Sequence, residues 1–425
     1  MLSQCFLKSA TLLVALSGSV LLSHAEDWPQ WRGPQANGYL PAKNWAPEKL
    51  PATPKTLWKA ALGDGVGSPV VADGRVFILE QPGDMEVLRA FDAATGKDLW
   101  KHDVDKAYSD TQGKGSRSTP SVSGKRIYVT SCRGEFKCLD VETGKLLWRK
   151  NFVTDYGALF YGETKDLLAN GASRHGNNGS PILLGNNIII QAGGTNGASV
   201  VSLTQKDGKE NWRSQNDQAG YAGALVTKIA GVNHAIFFTA HGVIGLNPDN
   251  GKLLWRFPID TKFARHVTAP IVVDDIVMVS SHMHGVYGIR IGKEGKGLKA
   301  EQAWLNKNAA INFACPVVVG EHIYGVGPTK NIICVNAKTG EIAWSKDGLI
   351  NSAAGKAYAG MIVAGKNIIM LTDTGALIQF IADPKEYREI SRTQVCGVNW
   401  TNPAMADGVV YVRDNKFISA ISLKE

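Results

Sequence analysis

Arg117, Arg174, His175, Asn178, Arg265, His266, Asn399 and Trp400 are the side chains of this sequence best suited to recognise a ligand. An arginine presents a rigid fork of donors that matches a carboxylate or a phosphate. Imidazole and amide side chains add single donors or acceptors, and a tryptophan adds a flat stacking surface. Together they describe a site for an anion-bearing ligand, against the plainer alternative of solvated loops whose Arg and Asn satisfy nearby carbonyls. Gln218, Asn312, Arg133, His241, His282 and His284 extend the set. His241 and His284 each precede a glycine, where turn chemistry alone accounts for them. His282 and His284 stand i, i+2 with no third ligand in reach, so no metal site is assigned. The chain has no G-x-S-x-G elbow, Walker A loop, H-E-x-x-H or C-x-x-C-H. No catalytic residue is assigned.

These residues lie just before short apolar runs that recur through the chain, and the recurrence says what must position them. Asp140-Val141-Glu142-Thr143-Gly144-Lys145-Leu146-Leu147-Trp148 matches Asp92 to Trp100 and Asn336 to Trp344 in spacing. Asn247 to Trp255 and Thr204 to Trp212 are looser copies. Trp58, Trp100, Trp148, Trp212, Trp255, Trp304 and Trp344 stand 40–49 residues apart except for one interval of 64, which locates an insertion at residues 149–178. Its Tyr156, Phe160, Tyr161, Glu163 and Asp166 suit either an ordered lid or a packed decoration. First strands begin near Ser68, Thr119, Ser180, Tyr221, Ala269, Cys315, Tyr358 and Asn402, most of them followed by proline. Tight turns ending in glycine separate the strands that follow.

Units of this length with four short strands describe blades of a β-propeller, here eight of them. Thr56-Leu57-Trp58-Lys59 has the end of a unit without its beginning, and residues 401–425 the beginning without its end. The expected fold is therefore all-β, an eight-bladed propeller of four-stranded antiparallel blades closed by an N-terminal strand, with no open sheet edge where the ring meets itself. It occupies residues 53–425, behind an extended, aromatic-pinned segment at 26–52. In the fifth unit the turn motif gives way to Ile291–Lys299. In the seventh no tryptophan appears, and Tyr387 stands roughly in its place.

The composition fits a protein with a packed core, 44% hydrophobic and 20% charged. A net charge of +8 without a basic run gives no support for nucleic-acid binding. Residues 1–25 read as an export signal: Lys8, an apolar run from Leu12 to Leu22, and Ser23-His24-Ala25 as a small-x-small cleavage site. No later stretch is long enough to span a bilayer. The expected location is periplasmic or extracellular, without a lipid anchor. Cys132, Cys138, Cys315, Cys334 and Cys396 are odd in number and lack metal or redox spacing. Cys138 and Cys334 share a repeat position that suits a buried thiol; the pairing of the others stays open.

The repeat resembles the PQQ-type, tryptophan-docking propeller repeat of quinoprotein alcohol dehydrogenases and of the BamB outer-membrane assembly factor. Trp28-Pro29-Gln30-Trp31-Arg32-Gly33-Pro34 with Asn37-Gly38 is similar to exported propeller proteins of Planctomycetes- and Verrucomicrobia-type bacteria. The resemblance implies that Trp58, Trp100, Trp148, Trp212, Trp255, Trp304 and Trp344 pack between neighbouring blades. It also implies two functions: a monomeric scaffold that takes an envelope protein partner or a small anionic ligand through its Arg/His-rich face, or a dehydrogenase of alcohols or sugars using pyrroloquinoline quinone (PQQ) with Ca²⁺. For the second, no Asp base, no Ca²⁺ ligand set and no adjacent-cysteine disulfide can be matched in this chain. The scaffold reading therefore comes first.

Overall fold

The computed structural model describes residues 27–41, 45–160, 171–281, 284–353 and 355–424; the candidate export signal, and Tyr161, Glu163, Asp166 and His282, lie outside them. Eight four-stranded antiparallel sheets form the blades. Blade 1 runs from Val70–Ala72 to Asp98–Lys106, blade 2 from Ser121–Ser123 to Leu146–Asn151, and blade 3 from Ile182–Leu184 to Glu210–Ser214. Blades 4 to 7 end in Leu253–Pro258, Gly297–Asn306, Ile342–Lys346 and Arg388–Gln394. Most of the short inner strands are rich in small or β-branched residues that fit the crowded axis, and the outer strands carry charge on their free edge.

Blade 8 takes its inner strands from Ala404–Ala406, Val409–Arg413 and Phe417–Ser422 and its outermost strand from Lys55–Ala61, paired antiparallel with Phe417–Ser422. The two incomplete units thus complete each other, and the ring closes through backbone hydrogen bonds.

One register recurs in every blade. Trp100 faces Ala90, Trp148 faces Cys138, Trp212 faces Ser202, Trp255 faces Gly245 and Trp344 faces Cys334, each followed by a β-bulge. A large ring opposite a small residue fills the wedge between blades without overpacking. Cys138 and Cys334 are accordingly buried and unpaired, as are Cys132 and Cys315, and Cys396 is free as well. Most of the tryptophans also give their indole N–H to a carbonyl of the next blade: Trp58 to Ala93, Trp100 to Val141, Trp148 to Gln205, Trp304 to Ala337 and Trp344 to Asp383, at 2.8–3.2 Å. Trp255 is the exception. Blade 5 replaces the turn motif with the long hairpin Gly285–Glu294 and Gly297–Asn306, and the Trp255 N–H has no partner among the described residues.

The seventh blade corrects the expectation for Tyr387. Gln379 faces Ser391, so Ser391 occupies the tryptophan register, and Tyr387 packs instead on Trp344 and Phe380. The vacant wedge is filled by the N-terminal segment. The Leu50 N–H donates to Ser391 Oγ at 2.9 Å, Gln379 Nε2 donates to the Pro47 carbonyl at 2.9 Å, and Trp45 packs against Gly408 of blade 8.

Upstream, the same segment winds around the inner strands. Trp28 bridges Val71 of blade 1, the Pro29 carbonyl accepts from Val122 of blade 2, and Gln30 Oε1 accepts from Leu183 of blade 3. The Trp31 ring packs on Gly223, where no Cβ could fit at 2.5 Å. Arg32 reaches across to the Pro316 carbonyl at 2.6 Å, and Gly38 and Leu40 pair with Val363 of blade 7. Residues 31–36 are a run of turns rather than extended chain. Through Trp31 this segment reaches the lining of the central pocket.

Candidate functional site

The central pocket is a funnel of about 1030 Å³, mouth included. The residues that begin the first strands ring it. Several are stitched blade to blade by one device, a backbone N–H given to the side chain at the equivalent position of the next blade. Asn402 N–H donates to Ser68 Oγ, Ser68 N–H to Thr119 Oγ1 and Thr119 N–H to Ser180 Oγ, at 3.0–3.1 Å. Ala269 N–H donates to Cys315 Sγ at 3.4 Å, which gives this cysteine the role of the serines and threonine. The chain of bonds is interrupted near Gly223, where Trp31 fills the space and becomes the floor.

Arg117, His175, Asn178, Arg265 and Trp400 line the funnel together. Arg117 and His175 are held by a carboxylate that the sequence reading missed. Asp110 accepts Arg117 at 2.6 and 3.0 Å, His175 Nδ1 at 2.8 Å, the Tyr108 hydroxyl at 2.9 Å and the Gln112 N–H at 2.7 Å. It sits on the small hairpin Ser109–Asp110 and Gly113–Lys114 between blades 1 and 2. Burial alone would raise its pKa, but His175 and Arg117 hold the carboxyl well below the usual range. An ionised carboxylate only accepts, so Nδ1 carries the proton toward it. His175 Nε2 and Asn178 Oδ1 have no partner among the described residues.

Arg265 differs from Arg117. Its guanidinium sits 5.6 Å from the Phe263 ring centre and makes no hydrogen bond or ion pair among the described residues. Trp400 meets Phe313 edge-on at 5.3 Å and 89°, which leaves a face for a ligand. Arg174 stands over the same Phe263 ring at 4.1 Å rather than in the funnel wall.

Two of the candidate residues face away from the funnel. His266 is fully buried, stacked on Phe238 at 4.0 Å, with Nδ1 2.6 Å from the Thr239 carbonyl and Nε2 3.0 Å from Thr261 Oγ1. Burial pushes its pKa down to about 4, and both nitrogens are occupied. Asn399 is buried too and donates to the Thr372 carbonyl at 2.7 Å. Adjacency in sequence to a funnel residue misled here: the turn closed by the His266 N–H on the Ala264 carbonyl sends the His266 ring into the core while Arg265 lines the funnel, and Asn399 is buried beside Trp400. Trp31 and Asp110 were missed for the opposite reason: each reaches the site from a segment outside the repeat.

The donor set tests the calcium–quinone pair. Among the described residues no carboxylate lines the funnel, and no group of three His, Cys, Asp or Glu suited to a metal occurs. A hard divalent cation needs several oxygen ligands, carboxylates among them. The residues present do not fit such a pair.

Comparison with known proteins brings in relatives of both kinds. A family model described as outer membrane protein assembly factor BamB matches residues 50–104 and 84–346. BamB of Yersinia pestis is 23% identical over 73% of this chain and 76% of its own. The quinone-dependent alcohol dehydrogenase subunit of Komagataeibacter europaeus is 30% identical over 35% of this chain, and the match spans only 19% of that protein. In fold, the quinohemoprotein alcohol dehydrogenase of Comamonas testosteroni aligns with a TM-score of 0.65 at 14% identity, covering 94% of this chain and 80% of that one. No helix among the described residues is long and apolar enough to cross a membrane. Repeat, register and family match agree: the chain belongs to the PQQ-repeat β-propeller family of the outer membrane protein assembly factor BamB.

Proposed function

We propose that this propeller is a non-catalytic binding module of an exported protein, and that its funnel takes a ligand bearing a carboxylate or similar anion. The observation that carries this reading is Arg265, a funnel-lining guanidinium with no acid partner among the described residues, none of which brings a carboxylate to the lining. A cation in a low-dielectric recess attracts anions more strongly than one in open water. Trp31 below and Trp400 at the side supply flat apolar surface for the body of the ligand. His175 Nε2 and Asn178 Oδ1 add acceptor capacity in the same wall. The site can bind and orient; it presents no nucleophile paired with a base. The family's name favours a second version, in which the anion is a carboxylate carried by a protein of the cell envelope.

Calorimetric titration of the purified chain with citrate, galacturonate and PQQ, each with and without Ca²⁺, tests this. Binding that does not depend on Ca²⁺ and disappears in Arg265→Ala, with the melting temperature unchanged, supports the reading. No binding of any carboxylate at millimolar concentration overturns it. Ca²⁺-dependent PQQ binding with dye reduction by alcohols or sugars would establish the dehydrogenase instead.

A further inference from the structure

Around Phe263 the chain places more positive charge than one anion uses. Arg174 Cζ lies 4.1 Å, Lys262 Nζ 5.1 Å and Arg265 Cζ 5.6 Å from the centre of this one ring. Arg265 lines the funnel wall, whereas Lys262 is exposed. The turn that joins them is held in an unusual shape. Phe263 and Ala264 both have left-handed backbone, with φ of 69° and 44°, a conformation that side-chain-bearing residues, and bulky ones above all, rarely adopt. Two neighbouring hydrogen bonds hold the turn, from Ala264 N–H to the Thr261 carbonyl at 3.1 Å and from His266 N–H to the Ala264 carbonyl at 2.8 Å. The buried, doubly bonded His266 ring anchors its C-terminal side. Asp260, on the same loop, is exposed and makes no ion pair among the described residues. Cations gathered around one aromatic ring repel each other, and the ring quadrupole only partly offsets that. An anion on each removes the conflict.

We propose that the ligand carries at least two anionic groups, one seated on Arg265 inside the funnel and the next on Lys262 at the rim, with Phe263 as the platform between them. This rests on the anion-binding reading above and narrows it to short oligoanions, such as acidic sugar chains or condensed phosphates. The shared chemistry is a row of negative groups, and the two sources are separated by the probes.

The experiment titrates the full chain with galactose, galacturonate, di- and trigalacturonate, and separately with phosphate and pyrophosphate, at low and moderate salt. The expected result is that digalacturonate binds at least about tenfold tighter than galacturonate, and more steeply with salt, as each further contact between charges is screened. Lys262→Ala should return the dimer to the affinity of the monomer and leave the monomer unchanged. Pyrophosphate showing the same gain over phosphate means that charge alone is read; a gain confined to the uronates assigns the site to acidic sugars. Equal affinity for mono- and dianions, or an equal loss for both in Lys262→Ala, overturns the second subsite while leaving the first intact. If no anion of either kind binds, the anion-binding reading falls with it.

Discussion

Trp212 of blade 3 packs its indole on Gly251 of blade 4, so closely that a Cβ on that glycine would lie 2.5 Å from the ring, and donates its N–H to the Pro248 carbonyl at 3.1 Å. The same pairing joins Trp58 to Gly96, Trp100 to Gly144, Trp148 to Gly208 and Trp304 to Gly340. The turn glycine of one blade, preceded by Thr, Asn or Asp, is thus the socket for the tryptophan of the blade before it. Trp212 is buried, and Trp212→Ala should cost about 3–5 kcal/mol in urea unfolding.

Trp255 offers a sharper comparison. Its N–H is unpartnered among the described residues, so Trp255→Phe discards a buried donor that gains nothing. We expect it to cost about 1 kcal/mol less than Trp212→Phe, which gives up a hydrogen bond. Equal costs would mean that the indole N–H contributes nothing at either junction.

Asp110 should matter more for stability than any other carboxylate near the funnel. Its side chain and that of Arg117 are 7% and 9% exposed, and Asp110→Ala would leave a buried guanidinium unpaired, at about 3–5 kcal/mol. Because its folded pKa is depressed, the contribution is present above the ordinary carboxylate range and is lost as pH falls through the folded value. Replacing both partners, Asp110→Leu with Arg117→Met, should recover most of the loss. Chemical unfolding of the three variants at pH 7 checks this.

Glu86 predicts a pH dependence of the opposite sign. It is fully buried beside Cys132, whose N–H it accepts at 3.2 and 3.3 Å, and burial raises its pKa from 4.5 to about 7. Between these values the unfolded chain has already released its proton while the folded chain keeps it. Stability therefore falls as pH rises from 4.5 to 7, by about 3 kcal/mol from this group. Glu86→Gln should flatten that slope and stabilise the protein at pH 8. His266, lowered from 6.5 to about 4, contributes loss of stability as pH drops across that interval, so the two effects are separated by measuring the variant and the parent from pH 4 to 8.

Removing residues 53–62 should strip blade 8 of its outer strand, expose the edge Phe417–Ser422 and take Trp58 from its seat on Gly96. A large drop in melting temperature and a tendency to associate through the bared edge are expected; a truncated chain as stable as the parent would show that the ring does not need this closure.

The scaffold is legible in the repeat alone. Asp140, Thr143 and Gly144 with Trp148, repeated at near-constant spacing, state a local turn and the packing of one blade on the next, and such short-range rules survive any change of surroundings. The half-units at Trp58 and at residues 401–425 likewise sufficed to predict how the ring closes. The tertiary structure decided what lies at the axis, because there residues distant in sequence converge without a period to mark them. Arg117 and Arg265 look alike in sequence, yet Asp110 occupies the first and nothing among the described residues occupies the second. Trp31, read only as an anchor, becomes the floor because Gly223 leaves room for it. His266 and Asn399 drop out because the local turn of each entry loop buries one of two neighbouring side chains and leaves the other in the funnel. Ser391 rather than Tyr387 holds the tryptophan register of blade 7, since a strand register is set by pairing across the sheet and a missing tryptophan leaves nothing in the sequence to count from.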